Sequence, residues 1–339
     1  MSTRDELVLE LVNIISDYRT GEINKPDSKH VDTWLAQFDS DKQEAVLSEV
    51  LHVFKKTYIS RTSMIGALSS VAEFKPFVGD TPRNHWSTAT VLDIQKGGNS
   101  QHELAQLLKN VVNEKYGVEV SINKMDNLRF YYIDDNLCSG SRAIQDLTAW
   151  IEGVAPSECQ LNLYFVVLHT YGYWRVSEKI KSVIASCGKN IKVEWAWCIQ
   201  PEDRKSCNYN ADVLRPVSAP DSEAVNDYIE SMVHKPVYRV AGGKGELDIF
   251  SSEAARNLLE QEFLVKGVDI RSKCTSLKDQ HRPLGYSGLE TLGFGSMIVT
   301  YRNCPNNAPL ALWVGDPWYP LLPRATNNDA KIRRMFENW

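Results

Sequence analysis

Two adjacent carboxylates, Asp134 and Asp135, end the run Phe130-Tyr131-Tyr132-Ile133 and are followed, after Asn136-Leu137-Cys138, by the small-residue turn Ser139-Gly140-Ser141-Arg142. The apolar run predicts a buried parallel strand, and Ala143 to Trp150 predicts the helix that follows it. Acid groups delivered at a strand's carboxyl end suit sugar hydroxyls or Mg²⁺. Free backbone N–H groups at the mouth of the helix suit a phosphate. The same residues also fit a plain reading, a solvated strand end with a serine cap.

A second polar loop lies upstream. The β-branched run Thr88 to Ile94 ends in Gln95-Lys96-Gly97-Gly98-Asn99-Ser100, and a helix-like stretch follows from His102. Two glycines permit close backbone approach to an anion, and Lys96 adds a positive charge. Alone this would be only a turn. Two such loops, each after a buried strand and one crossover apart, are what a sugar carrying phosphates at two ends requires.

The segment from Phe130 to Arg142 resembles the motif of the type I phosphoribosyltransferases: hydrophobic strand, two acids, three variable positions, then Thr/Ser-Gly-x-Thr. Lys96-Gly97-Gly98 resembles their pyrophosphate loop. Gly293-Phe294-Gly295, the run Thr300-Tyr301-Arg302-Asn303-Cys304-Pro305-Asn306-Asn307, Trp313 and Trp318-Tyr319-Pro320 look like a divergent branch, the phosphoribosyltransferase-like family of bacterial anti-phage conflict systems. Val31-Asp32-Thr33-Trp34-Leu35 fits the same branch, so the likeness covers most of the chain.

The resemblance implies that Asp134 and Asp135 contact the ribose hydroxyls of phosphoribosyl pyrophosphate or a nucleotide, directly or through Mg²⁺. It implies that Ser139, Gly140, Ser141 and Arg142 hold the 5-phosphate and that Lys96, Gly97 and Gly98 face the pyrophosphate. Two positions depart from the family: Cys138 stands where an acid or hydroxyl is usual, and Arg142 where a phosphate-binding Thr is usual. Arg142 can grip a phosphate through its planar fork, or the 5-position can carry a larger group such as a nucleotide. Cys138, His169, Arg302, Asn303, Asn306 and Asn307 are further candidates for substrate contact. Each has a structural alternative: a small residue in a tight loop, a satisfied core histidine, and an Asn/Pro turn. Gly242-Gly243-Lys244-Gly245 lacks the spacing of a phosphate loop and reads as a turn.

These residues need a scaffold. Strand-like runs at 88–94, 118–122, 129–134, 161–169 and 191–199 alternate with helical stretches at 101–114, 141–152 and 177–187. That alternation predicts an α/β fold with a mostly parallel central sheet of about five strands flanked by helices. Residues 1–75 read as an N-terminal helical region, 76–200 as the phosphoribosyltransferase-like core, and 201–339 as a C-terminal α+β hood. The hood carries one helix at 252–263 and late strands near 297–301 and 310–314.

Bulk properties bound the rest. The chain of 339 residues can bury a sizeable core, and a net charge of −5 gives no strong nucleic-acid signal. Seven scattered cysteines without a CxxC pair, and no membrane-length apolar run, point to a reduced cytoplasmic protein without membrane attachment. Three functions stay open: an Mg²⁺-dependent enzyme working at an anomeric carbon as a defence toxin, an inactive nucleotide-binding sensor, and a metal-dependent nuclease. A partner ATPase or reverse transcriptase of a defence operon, and an oligomer, stay open with them.

Overall fold

A computed structural model describes residues 3–97, 99–286 and 291–325. In chain order its elements are α1 (Arg4–Ile14), α2 (Ser28–Leu35), α3 (Gln43–Thr57), β1 (Tyr58–Ile59), α4 (Arg61–Glu73), α5 (Lys75–Val78), α6 (Pro82–Ser87), β2 (Ala89–Leu92), α7 (Ser100–Tyr116), β3 (Ser121–Ile122) and β4 (Arg129–Leu137). They continue as α8 (Ser141–Glu152), β5 (Glu158–Leu168), α9 (Thr170–Cys187), β6 (Asn190–Ile199), α10 (Glu223–Glu230), α11 (Glu253–Lys273), β7 (His281–Arg282), β8 (Gly285–Tyr286), β9 (Val299–Thr300) and α12 (Leu310–Trp313). They form two compact units, one of Met1–Arg61 with Pro201–Arg324 and one holding Thr62–Gln200.

The unit of Thr62–Gln200 is built on a five-stranded, wholly parallel sheet in the order β3-β2-β4-β5-β6. This is the α/β sheet expected from the alternation of runs. Phe130 and Tyr132 of β4, with Leu161, Leu163 and Phe165 of β5, share a core with Ala143, Leu147, Trp150 and Ile151 of α8 and with Val176, Ile180 and Val183 of α9. The α8 residues recur at helical spacing, which turns one apolar stripe onto the sheet. On the other face Tyr131 lies against Trp86 and Phe77 and takes a 2.6 Å hydrogen bond with His85 Nε2, while Trp86 Nε1 donates to Ala72 O. With both faces covered, the central strands read as continuous apolar runs. The two edges differ: β3 is two residues long and β6 ten.

The helix expected to begin at residue 177 begins at Thr170. Its first turn, Thr170-Tyr-Gly-Tyr-Trp, is rich in residues of low helix propensity and is stabilised by packing instead.

In the other unit, α1, α2, α3 and α11 enclose a core with Leu310, Leu312, Trp318 and Leu322. Trp34 Nε1 and Trp318 Nε1 both donate to Ala311 O at 2.9 Å. β1 pairs in parallel with β9, two residues each, so the strand expected at 297–301 is confined to Val299–Thr300. Residues 310–313 form a helical turn, not the expected strand. Leu310, Ala311 and Leu312 are buried on every side, so their run carries no periodicity to separate the two states. The helix expected at 252–263 extends to Lys273, because Leu264, Val268 and Ile270 prolong its buried stripe.

Charge is buried here as well. Glu260 Oε1 accepts from the Arg215 backbone at 3.0 Å, Arg239 Nε at 3.0 Å and Arg256 Nε at 2.9 Å, all in the interior. Removing one member of such a group strands the other charges out of water. Glu260→Ala should therefore cost about 3–5 kcal/mol in urea unfolding, and a loss below about 1 kcal/mol would show that water reaches the arginines.

Candidate functional site

The strand order places a switch point at the carboxyl ends of β2 and β4. The chain leaves β2 toward β3 on one side, then returns across β2 to enter β4 on the other. Crossovers departing in opposite directions leave a crevice there, where open α/β sheets bind ligands. Both polar loops singled out in the sequence follow these two strands.

The loop after β2 is held at its base by two buried glutamines. Gln101 Oε1 accepts from the backbone N–H of Ile94 at 2.6 Å and Gln95 at 2.9 Å, and Gln95 Oε1 accepts from Ser100 Oγ at 3.2 Å. This clamp sets Lys96 and Gly97 at the tip, with Lys96 exposed. A methyl placed on Gly97 would stand 3.6 Å from Arg142 Nη1, so the fold brings this loop against the one that follows β4. Gly98 lies outside the described residues.

β4 runs three residues beyond its expected end, so Asp134 and Asp135 sit inside the strand and point to opposite faces. Asp134 is buried, in register with Phe165 of β5, and Asp135 is half-buried. Burial, then repulsion from Asp135, pushes the Asp134 carboxyl up to about 7, against opposing contributions from the Ser100 hydroxyl, the Asp135 N–H and Arg142. The strand end thus carries a buried acid, Asp134, directly beside a second, half-buried one. That environment fits a divalent cation, since Mg²⁺ takes one or two carboxylates and completes its shell with substrate oxygens and water.

A third acid belongs to the same place. Asp146 of α8, 3% exposed, faces the backbone N–H of Lys96, the Arg142 guanidinium and the Tyr132 hydroxyl; burial raises its carboxyl and these neighbours oppose the rise. It joins α8 to the Lys96 loop. Its sequence signal was a carboxylate on the apolar stripe of α8, between Ala143 and Trp150.

The turn after β4 is shaped by two glycines. Gly140, at φ +71°, stands at the mouth of α8, and a Cβ there would meet Val176 Cγ2 at 2.5 Å. A Cβ on Gly172 would meet Cys138 O at 2.2 Å, so only glycine lets α9 approach the turn this closely. Through that approach Arg175 Nη1 donates to Ser139 O at 2.6 Å and to Ser141 Oγ at 3.3 Å. Arg175 escaped the sequence reading because its helix was expected to start two residues later. Ser139 and Ser141 hydroxyls lie 3.4 Å apart beside Arg175, while Arg142, the next residue of α8, reaches toward Gly97. Hydroxyls, a helix mouth and two guanidinium forks can hold a phosphate.

Cys138 directly follows β4 and His169 directly precedes α9. The Cys138 thiol donates to Asn136 Oδ1 at 3.2 Å, and the residue is buried. His169 is fully buried and stays neutral, its pKa pushed down to about 3 by burial. Arg302, Asn303, Asn306 and Asn307 belong to the other unit. There Asn306 O accepts from Tyr286 N at 2.7 Å and Asn307 Nδ2 donates to Tyr286 O at 3.2 Å, which closes a turn. Gly242–Gly245 is also a turn, with Gly243 O accepting from Arg256. Among the described residues no three His, Cys, Asp or Glu side chains form a metal-holding group, and no helix is long and apolar enough to cross a membrane.

The model of the PRTase-CE family, which is phosphoribosyltransferase-like, matches residues 31–324. No curated protein matches the chain. With nearly its whole length covered, the chain belongs to the PRTase-CE family.

Two outcomes follow from the turn and its support. Gly140→Ala forces a side chain into the left-handed region and onto Val176, so it should cost about 1–3 kcal/mol in thermal unfolding and abolish phosphate binding measured by calorimetry. His169 behaves oppositely in the two states. Unfolded it titrates near the ordinary histidine value of 6.5, folded near 3, so the unfolded chain takes the proton first as pH falls. Stability is full above about pH 6.5 and declines below it, by about 2 kcal/mol at pH 5; His85, lowered to about 4, adds to the decline. Urea midpoints at pH 7.5 and 5 should show a shallower pH dependence in His169→Gln.

Proposed function

We propose that this chain is an Mg²⁺-dependent enzyme of phosphoribosyl chemistry that acts at the anomeric carbon of phosphoribosyl pyrophosphate or a nucleotide. In its biological setting it is the cytoplasmic effector, or toxin, of a bacterial anti-phage defence system, held in check by a partner such as an ATPase or a reverse transcriptase of the same operon. The observation that carries the reading is the meeting of the Lys96-Gly97 loop, the Asp134–Asp135 pair and the Ser139-Gly140-Ser141 turn at one switch point, with Arg142 against the first loop.

In this reading the two loops hold the two ends of one substrate. Ser139, Ser141 and the N–H groups at the mouth of α8 bind the 5-phosphate, with Arg142 and Arg175 adding charge. Lys96 and the Gly97 N–H face the leaving diphosphate, while Asp134 and Asp135 hold the ribose hydroxyls and the cation. Mg²⁺, when bound, would neutralise the leaving anion. Departure of that anion leaves positive charge on the sugar ring, and the Asp134 carboxylate, once ionised, favours it in a low-dielectric setting. Gln95 and Gln101 keep the loop from reorganising as charge develops.

The 5-phosphate side is built for more than a bare phosphate. Tyr171 and Trp174, ring centroids 6.2 Å apart, continue outward from Arg175, which lies over Tyr171. Trp174 is more than half exposed, and such a surface stacks a base. This favours a nucleotide substrate over a simple salvage reaction.

The second reading is a nucleotide sensor without turnover, favoured by Cys138 and Arg142 in place of the family's usual residues. No observation favours the nuclease. The readings part in one experiment. Asp134→Asn/Asp135→Asn should abolish toxicity on expression and lower turnover at least about a thousandfold, with the circular-dichroism spectrum kept. Metabolite profiling should then show that one phosphoribosyl or nucleotide pool, consumed by wild type, is spared. An unchanged pool in wild type, with calorimetric nucleotide binding, would replace the enzyme with the sensor.

A further inference from the structure

Among the described residues the parallel sheet ends at β6, a long and regular edge strand. Among the described residues β6 has one strand neighbour, β5. It runs ten residues without proline, and its register with β5 is in step from Glu158↔Asn190 to Val167↔Ile199. Long, regular edges are normally shortened, bulged or covered, because their free N–H and C=O groups template another strand. The opposite edge, β3, is shortened to two residues. β6 is not.

The side chains of β6 specify what can pair there. The Asn190 N–H donates to Ser157 O, so even-numbered residues turn their backbone groups toward β5 and odd-numbered residues present theirs to the open side. Ile191, Val193 and Trp195 line a groove of about 360 Å³ with Ile180 and Ile184 of α9. On the opposite face, Lys192 and Glu194 form an exposed ion pair of 2.7 Å.

We propose that β6 is the interface between two copies of this chain, paired antiparallel about a twofold axis at Val193. In that register the outward-facing odd residues meet as hydrogen-bonded pairs: Val193 with Val193, and Ile191 with Trp195 of the second copy. Lys192 then lies opposite Glu194 of the second copy, twice, in the narrow non-hydrogen-bonded pairs where cross-strand charges interact best. The two α9 grooves join across the axis, each receiving apolar side chains from the other. Moving the axis to Ile191 or Trp195 sets Lys192 opposite Asn190, or Glu194 opposite Ala196, and loses both ion pairs. The strand is thus self-complementary in backbone, apolar face and charge, which selects a second copy over an unrelated strand.

Sedimentation velocity on the full chain, over about two decades of concentration in the micromolar range, tests the pairing. Wild type should form a species of twice the monomer mass. Lys192→Glu sets Glu against Glu, and Glu194→Lys sets Lys against Lys, so each should weaken association at least about tenfold. An equimolar mixture of the two variants restores opposite charges in a heterodimer and should recover association, as should both substitutions in one chain. A wild type that stays monomeric, or a dimer indifferent to these changes, would overturn the proposal.

Discussion

Parallel strands are joined only by chain that travels back along the sheet, and the side on which it travels decides which part of the carboxyl edge is left open. In this protein α8 and α9 pack on one face of the sheet, and a right-handed crossover from β2 to β3, departing the other way, puts α7 on the opposite face. Everything that can do chemistry follows from that change of direction. The loop after β2 and the turn after β4 face each other because neither is covered by a crossover.

Charge in the crevice is balanced across elements, not within them. Asp134 lies deep in β4, Lys96 at a loop tip, Arg142 on the first turn of α8 and Asp146 one turn on, while Arg175 arrives from α9. Arg142 acts on Asp134, Asp146 and Tyr132 alike. Each acid is destabilised by burial and relieved by a group from a different segment. Sheet, loop and helix mouth are therefore electrostatically interdependent.

Much of this was written in local pattern. The five strands and the helix at Ser141 follow from apolar runs and turn residues, and the acid pair with its Ser-Gly-Ser turn marked the crevice from sequence alone. What escaped depended on distant chain. Asp146 lies on the amphipathic stripe of α8, and only the fold sets Lys96 beside it. Arg175 belongs to a helical turn that local propensity does not support and that Gly172 makes possible by its fit against Cys138. Residues 310–313 show the converse: burial on all sides erases the periodicity by which helix and strand are told apart. The resemblance to a known family added what pattern cannot, a phosphoribosyl ligand to propose for such loops.

The unit formed by Met1–Arg61 with Pro201–Arg324 draws its core from both sides of the α/β unit in sequence. A ribosome adds roughly 5–20 residues each second, so the opening helices wait tens of seconds for α11, α12 and the segment around Trp318 to emerge. The strands and helices of Thr62–Gln200 are complete well before that. During synthesis, then, the crevice-bearing unit can assemble while α1, α2 and α3 still display an unsatisfied apolar surface, a period in which a chaperone or cognate partner would find them accessible.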